Sequence, residues 1–179
     1  LTASFGTDGL PEVSPQGDQL GGFVTLSSTG EILAVAAYYD EEAGADAGAV
    51  YIFTSGSSGY QQVQKLTASD AGAGTYFSSP LLLSSTGTTL FVTSYDDENG
   101  ALAGAVYIFQ SGSNGYQQVD KLIASGDADP SYDVFGGSLV CTTDGNTLIV
   151  GAYTDEEGGG GNAGDGAGSV YVFRYTRDY

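Results

Sequence analysis

One pentapeptide occurs twice in this chain, Ala-Val-Tyr-Ile-Phe at Ala49–Phe53 and Ala105–Phe109, and returns a third time as the variant Ser-Val-Tyr-Val-Phe at Ser169–Phe173. Its surroundings repeat with it. Gly59-Tyr-Gln-Gln-Val-Gln-Lys-Leu-Thr-Ala-Ser69 returns as Gly115-Tyr-Gln-Gln-Val-Asp-Lys-Leu-Ile-Ala-Ser125. Ser27-Ser-Thr-Gly30 returns as Ser84-Ser-Thr-Gly87 and as Thr142-Thr-Asp-Gly145. A period of about 57 residues marks an array whose units complete their cores against their neighbours. The chain accordingly divides into a single array of three repeats at 5–70, 71–126 and 127–179. Leu1-Thr-Ala-Ser4 copies Leu66-Thr-Ala-Ser69 and reads as the remnant of a preceding or closing outer strand.

Each repeat holds short apolar runs separated by turn chemistry, and none shows a sustained helical period. The runs in the first repeat are Leu20–Leu26, Ile32–Tyr38, Ala49–Phe53 and Tyr60–Thr67. Gly30, Gly87 and Gly145 close hairpins after the first strand, where a positive φ is needed. The third strand is apolar on both faces, Val50 and Ile52 on one and Tyr51 and Phe53 on the other. A strand of that kind is covered on both faces. The expected fold is therefore all-β, with β-propeller-type blades of four antiparallel strands, each blade sandwiched between others. Propellers usually need at least four blades. Three repeats predict a partial propeller, or a ring completed by other copies or flanking repeats, with two apolar faces open.

Phe135-Gly-Gly-Ser-Leu-Val, then Thr143-Asp-Gly-Asn-Thr-Leu-Ile-Val-Gly-Ala-Tyr153, then Gly168-Ser-Val-Tyr-Val-Phe173 resembles the FG-GAP repeat, the blade unit of integrin α-like propellers. The first two repeats read as drifted copies of the same pattern. The resemblance implies an extracellular or cell-surface propeller used in adhesion or ligand binding, without catalysis. It also implies calcium held by an Asp-rich loop between the first two strands. That loop is here Ser27–Gly30, Ser84–Gly87 or Thr142–Gly145, too short and with one carboxylate at most. The family's usual calcium site does not carry over.

Acidic residues gather instead in the loop after the second strand. The candidate calcium ligands are Asp40, Glu42 and Asp46; Asp96, Asp97 and Glu98; and Asp155, Glu157 and Asp165. Gly-rich acidic loops can wrap a calcium ion in hard oxygens. An exposed acidic rim, its charges facing water, explains the same residues, and the spacing matches no established ligand pattern. The third loop, longer and Gly-rich, reads as the most mobile or the most adapted to a partner. Tyr38, Tyr95 and Tyr153 stand beside these acids at equivalent positions. They are candidate ligand-binding residues, since an aromatic ring stacks on a sugar while acids accept from its hydroxyls. Packing of the ring with a wet hydroxyl accounts for them equally. Tyr60 and Tyr116 read as blade-packing residues.

Twenty-two acids against four bases give a net charge of −18, which repels phosphate backbones and anionic lipid. Nucleic acid and membrane insertion are not expected. The chain has no His, which removes Ser-His and Cys-His nucleophile systems, and its acids show no sign of a raised pKa. The sequence reads as a non-enzyme. Cys141 stands alone in a strand-like run and reads as a buried, unreactive thiol. The chain lacks Met and reads as a processed product or a fragment.

Together these features predict an extracellular adhesion or recognition module with a protein or glycan ligand. Two alternatives stand beside it. One is a structural subunit of a fibre, ring or coat, joined to copies of itself through open blade faces and strand donation. The other is a sugar-binding lectin.

Overall fold

The computed structural model describes residues 17–95, 102–124, 133–155 and 168–175. Among these the chain is all-β and forms three separate antiparallel sheets, with no closed barrel. The first sheet runs β1 (Leu20–Leu26), β2 (Ile32–Ala37), β3 (Ala49–Gly56), β4 (Gly59–Leu66). The second runs β5 (Leu81–Leu83), β6 (Thr89–Ser94), β7 (Ala105–Gly112), β8 (Gly115–Leu122). The third holds β9 (Phe135–Cys141), β10 (Thr147–Ala152) and β11 (Ser169–Arg174). Strands sit side by side in sequence order, as expected for propeller-type blades.

The local chemistry of a blade is reproduced each time. In the β1–β2 hairpin and its counterparts, Gly30, Gly87 and Gly145 sit at φ 73°, 72° and 73°. The hydroxyls of Ser27, Ser84 and Thr142 each accept from the amide five residues on (Ile32, Thr89, Thr147), in every case at 3.0 Å. The hydroxyls of Tyr60 and Tyr116, at the start of each outer strand, donate to the carbonyls of Gly30 and Gly87. These two tyrosines tie the outer strand back to the inner hairpin of the same blade. The exception is β5. Where β1 and β9 carry Gly-Gly, the second blade carries Ser78-Ser79, followed by Pro80, which has no amide to donate to a ladder. Its first strand is correspondingly cut to three residues.

Register assigns each residue to one of two faces. Val24, Val35 and Tyr51 align on one face of the first blade, and Thr25, Ala34 and Ile52 on the other. The second face, with Val50 and Leu66, packs on Leu83, Leu90, Val92, Tyr107 and Phe109 of the second blade. The opposite face of that blade, Phe91, Val106 and Ile108, packs on Phe135, Leu148, Val150, Tyr171 and Phe173 of the third. Blades thus stack with one sense: a leading face of each covers the trailing face of the next. Val50, Val92, Val106 and Val150 are fully buried at these seams.

The seams are also fixed through the backbone. Phe77 and Phe135, which open the second and third blades, donate their amides to Ala47 (2.7 Å) and Ala103 (3.0 Å) of the preceding blade. Gly48 and Gly104 lie under these contacts at φ 79° and 81°. A Cβ on either would strike the Phe77 or Phe135 backbone, so only glycine lets the two chains approach. The ring of Phe77 then meets Tyr107 edge-on at 5.3 Å, and Phe135 meets Tyr171 likewise at 5.2 Å.

Candidate functional site

Two groups of side chains stand out at the end of the blades where β2, β6 and β10 finish. The first is the set of acids that open the following loops. The sequence reading leaves them as calcium ligands or as an exposed rim; Asp40 and Asp155 are 3% and 0% exposed. Each carbonyl accepts from the glycine that closes its loop, Asp40 from Gly48 (2.9 Å) and Asp155 from Gly168 (3.0 Å). Each carboxylate accepts from the third-strand tyrosine of its own blade, Tyr51 (2.7 Å) and Tyr171 (2.6 Å). In the first blade Lys65 adds an ion pair to Asp40 at 2.9 Å, a second to Glu42, and a position 5.4 Å from the centre of the Tyr51 ring.

These contacts set the ionisation of the group. Burial pushes the Asp40 carboxyl up, but hydrogen bonds from Lys65, Tyr51 and the Glu42 amide outweigh it and hold the carboxyl below the usual aspartate range. Burial and the Asp40 carboxylate push the Tyr51 hydroxyl up to about 12. Lys121 repeats the arrangement with a different acid. It pairs with Asp70 at 2.7 Å, beside a Tyr107 hydroxyl that burial and Asp70 push up to about 12. Asp40 is therefore embedded in a structural network. Among the described residues no three acidic, Cys or His side chains come together as a metal-binding group. Asp46 sits in the first loop at φ 56°, its carbonyl accepting from Tyr76. Asp96, Asp97, Glu98, Glu157 and Asp165 lie outside the described residues.

The second group is aromatic. Tyr38 and Tyr95, equivalent ends of β2 and β6, come together at the seam of the first two blades, 6.2 Å apart at 73°. Tyr38 stacks on Tyr76 at 4.9 Å and 16°, and Tyr39 meets both edge-on. Beside them opens a cleft of about 320 Å³ lined by Gln19, Gly22, Phe23, Tyr38, Ser79 and Tyr95, with Ala36 beneath. Among the described residues no cation lines it. It offers ring faces together with an amide and a hydroxyl. The third candidate, Tyr153, is 64% exposed and lies over Gly137 in the third blade; it does not line this cleft.

Sequence reasoning missed Tyr39, Tyr76 and Gln19. Gln19, Tyr76 and Val134 occupy one repeated position, at φ 51°, 50° and 53°, where the chain turns into each first strand. The side chain differs in every blade, so repetition gives no signal for it. Cys141 packs, half-buried, against the core between the second and third blades, and burial raises its thiol pKa.

Comparison with known proteins identifies the repeat. The FG-GAP repeat model matches residues 60–109 and 116–173. The chain belongs to the FG-GAP repeat family. The matched segments begin at β4 and β8 and end in β7 and β11, so an FG-GAP unit couples the outer strand of one sheet to the three inner strands of the next.

No curated protein matches the sequence. Among solved structures, a putative 6-phosphogluconolactonase from Bacteroides fragilis is similar over 78% of this chain, with a TM-score of 0.55 and 18% identity. The chain spans 33% of its length. The Pseudomonas aeruginosa periplasmic gluconolactonase PpgL is similar over 90% of this chain and 44% of its own, at 19% identity and a TM-score of 0.49. At 18% identity the first likeness establishes the fold alone. It nonetheless corrects one expectation from sequence. The blade architecture is shared with a protein described as a lactonase, so the exclusion of enzymatic activity is withdrawn.

Proposed function

We propose that this FG-GAP array is a recognition module of an extracellular or cell-surface protein, and that it takes its ligand in the tyrosine cleft between its first two blades. The observation that carries this reading is the convergence of Tyr38 and Tyr95 on one cavity. Tyr76 braces Tyr38 from behind. Clefts at the seams of repeated units, apolar with a few polar groups, are where ligands are usually held. Aromatic rings supply contact area at low entropic cost, and Gln19 and Ser79 supply the amide and hydroxyl that orient a ligand. A neutral ligand rich in hydroxyls, a glycan or a glycosylated protein surface, suits this lining and tolerates the chain's net charge of −18. Cell adhesion is the corresponding biological role.

The test is binding of the chain to immobilised neutral glycans. Tyr38→Ala and Tyr95→Ala should each weaken it at least about tenfold, the order expected for a stacked aromatic contact. Tyr153→Ala should leave it unchanged. Equal binding by all four proteins would sink the reading.

A further inference from the structure

The seam between the first two blades has a component outside the ladders. β4 ends at Leu66, and the chain runs on as Thr67-Ala68-Ser69 towards the second blade. Leu66 and Ala68 are buried in one core cluster with Tyr107 and Phe109. Ser69 meets the side-chain amide of Gln118 on β8, which accepts from its backbone N–H at 3.0 Å and donates to its hydroxyl at 2.9 Å. A glutamine side chain carries both an acceptor and a donor, so it can hold a serine at these two points. The apolar half of the contact recurs at the next seam, where Leu122 and Ala124 pack in one cluster with Tyr171 and Phe173.

The first blade has the same receiving parts. Gln62 holds the place on β4 that Gln118 holds on β8, pairing with Phe53 as Gln118 pairs with Phe109. Its Oε1 is buried and has no hydrogen-bond partner among the described residues. Buried polar atoms in native proteins are nearly always paired. Tyr51 and Phe53 are 4% and 5% exposed, close to Tyr107 and Phe109 at 1% and 3%. Yet the described residues clustered with Tyr51 and Phe53 all belong to the first blade itself. Both observations call for cover that the described residues do not supply.

We propose that Leu1–Ser4, which lie outside the described residues, seat on the first blade as Leu66–Ser69 seat on the second. Leu1 and Ala3 then cover Tyr51 and Phe53, and Ser4 occupies the amide of Gln62. The occupant follows from identity, since Leu1-Thr-Ala-Ser4 repeats Leu66-Thr-Ala-Ser69 residue for residue. It follows also from continuity with the seams, where each tail of this kind packs on the tyrosine and phenylalanine of the next third strand. The next position agrees. Asp70, after Ser69, pairs with Lys121, whereas Phe5, after Ser4, carries no charge. Lys65, the counterpart of Lys121, turns instead to Asp40 and Glu42 of its own blade. The contact needs these four residues alone and does not depend on what precedes Leu1.

Cross-linking in the full chain tests this seat. In a Cys141→Ser background, Ser69→Cys with Gln118→Cys gives the yield of a short bismaleimide across a contact of this kind. Ser4→Cys with Gln62→Cys should match that yield, with the link inside one chain. Ser4→Cys with Val119→Cys, an exposed position on β8, should give little product. A second measurement needs no introduced thiol. Ser4→Pro has no amide to donate, and Gln62→Ala has nothing to receive one. Each should lower the melting temperature, and the double variant should fall no further than the worse of the two, as for residues that share one interaction. A Ser4–Gln62 pair that stays unlinked where the Ser69–Gln118 pair reacts, a link that joins two chains, or melting shifts that simply add would each overturn the proposal.

Discussion

The side chain of Gln64 closes a two-way bridge to the backbone of Tyr116. Its Nε2 donates to the Tyr116 carbonyl and its Oε1 accepts from the Tyr116 amide, both at 2.8 Å. Gln64 lies on β4 and Tyr116 on β8, so the outer strands of the first two blades are joined where no ladder connects them. Gln118 adds a second amide link, accepting from the Ser69 amide at 3.0 Å and donating to its hydroxyl at 2.9 Å.

Replacing Gln64 tests the bridge. Gln64→Ala removes a donor and an acceptor and should cost about 1–3 kcal/mol in denaturant unfolding. Gln64→Glu keeps the acceptor but turns a carboxylate toward the Tyr116 carbonyl. It should be at least as destabilising near neutral pH and recover in acid, when the protonated carboxyl can donate.

The approach of Gly48 to Phe77 predicts a difference between two glycines of equal backbone angle. Gly48 and Gly74 both sit at φ 79°, but a Cβ on Gly74 meets nothing within 4 Å. Gly74→Ala should cost only the strain of the left-handed conformation, about 1–2 kcal/mol. Gly48→Ala adds a collision with backbone that cannot swing aside, and its melting temperature should fall clearly below that of Gly74→Ala. Gly104→Ala should behave like Gly48→Ala.

The Asp40 network predicts the acid limb of stability. Its carboxyl is held below the ordinary value of 3.8, so its stabilisation is complete above that value and is lost as pH falls through the folded one. Melting temperatures followed downward from about pH 6 should fall less steeply in Asp40→Asn than in the parent chain, from a lower start. The Tyr51 hydroxyl is raised to about 12 from 10.0, so its contribution is present below 10.0 and disappears as pH rises through the higher value.

Removing only the hydroxyl isolates the tyrosine–aspartate bonds. Tyr51→Phe and Tyr171→Phe should each cost about 1–3 kcal/mol, as for a hydrogen bond to a charged acceptor. Tyr171→Phe should unfold the third blade at lower denaturant, read by local amide exchange in β10 and β11.

Repetition made the strands, their order and the hairpin glycines readable, because turn residues and apolar alternation recur in each unit. The shortening of β5 to three residues was not read, because repetition predicts a first strand of full length and Pro80 interrupts it. Nor was the fate of the acids. Asp40 stands in a stretch as polar as any surface loop, and only the register of β3 reveals that Tyr51 points its hydroxyl there. The tyrosine cleft was half readable. Tyr38 and Tyr95 recur at equivalent positions, but that they meet depends on how one blade turns against the next. Tyr76 has no repeated counterpart to mark it.

The carbonyl of Asp40 receives Gly48 and that of Asp155 receives Gly168 by the same bond, though the segments enclosed differ in length. A loop anchored in this way is a socket: the sheet registers that its two ends are plugged in and is indifferent to what hangs between them. New segments could be grafted between such ends without refolding the blade, and diversification of these arrays would be expected to concentrate there.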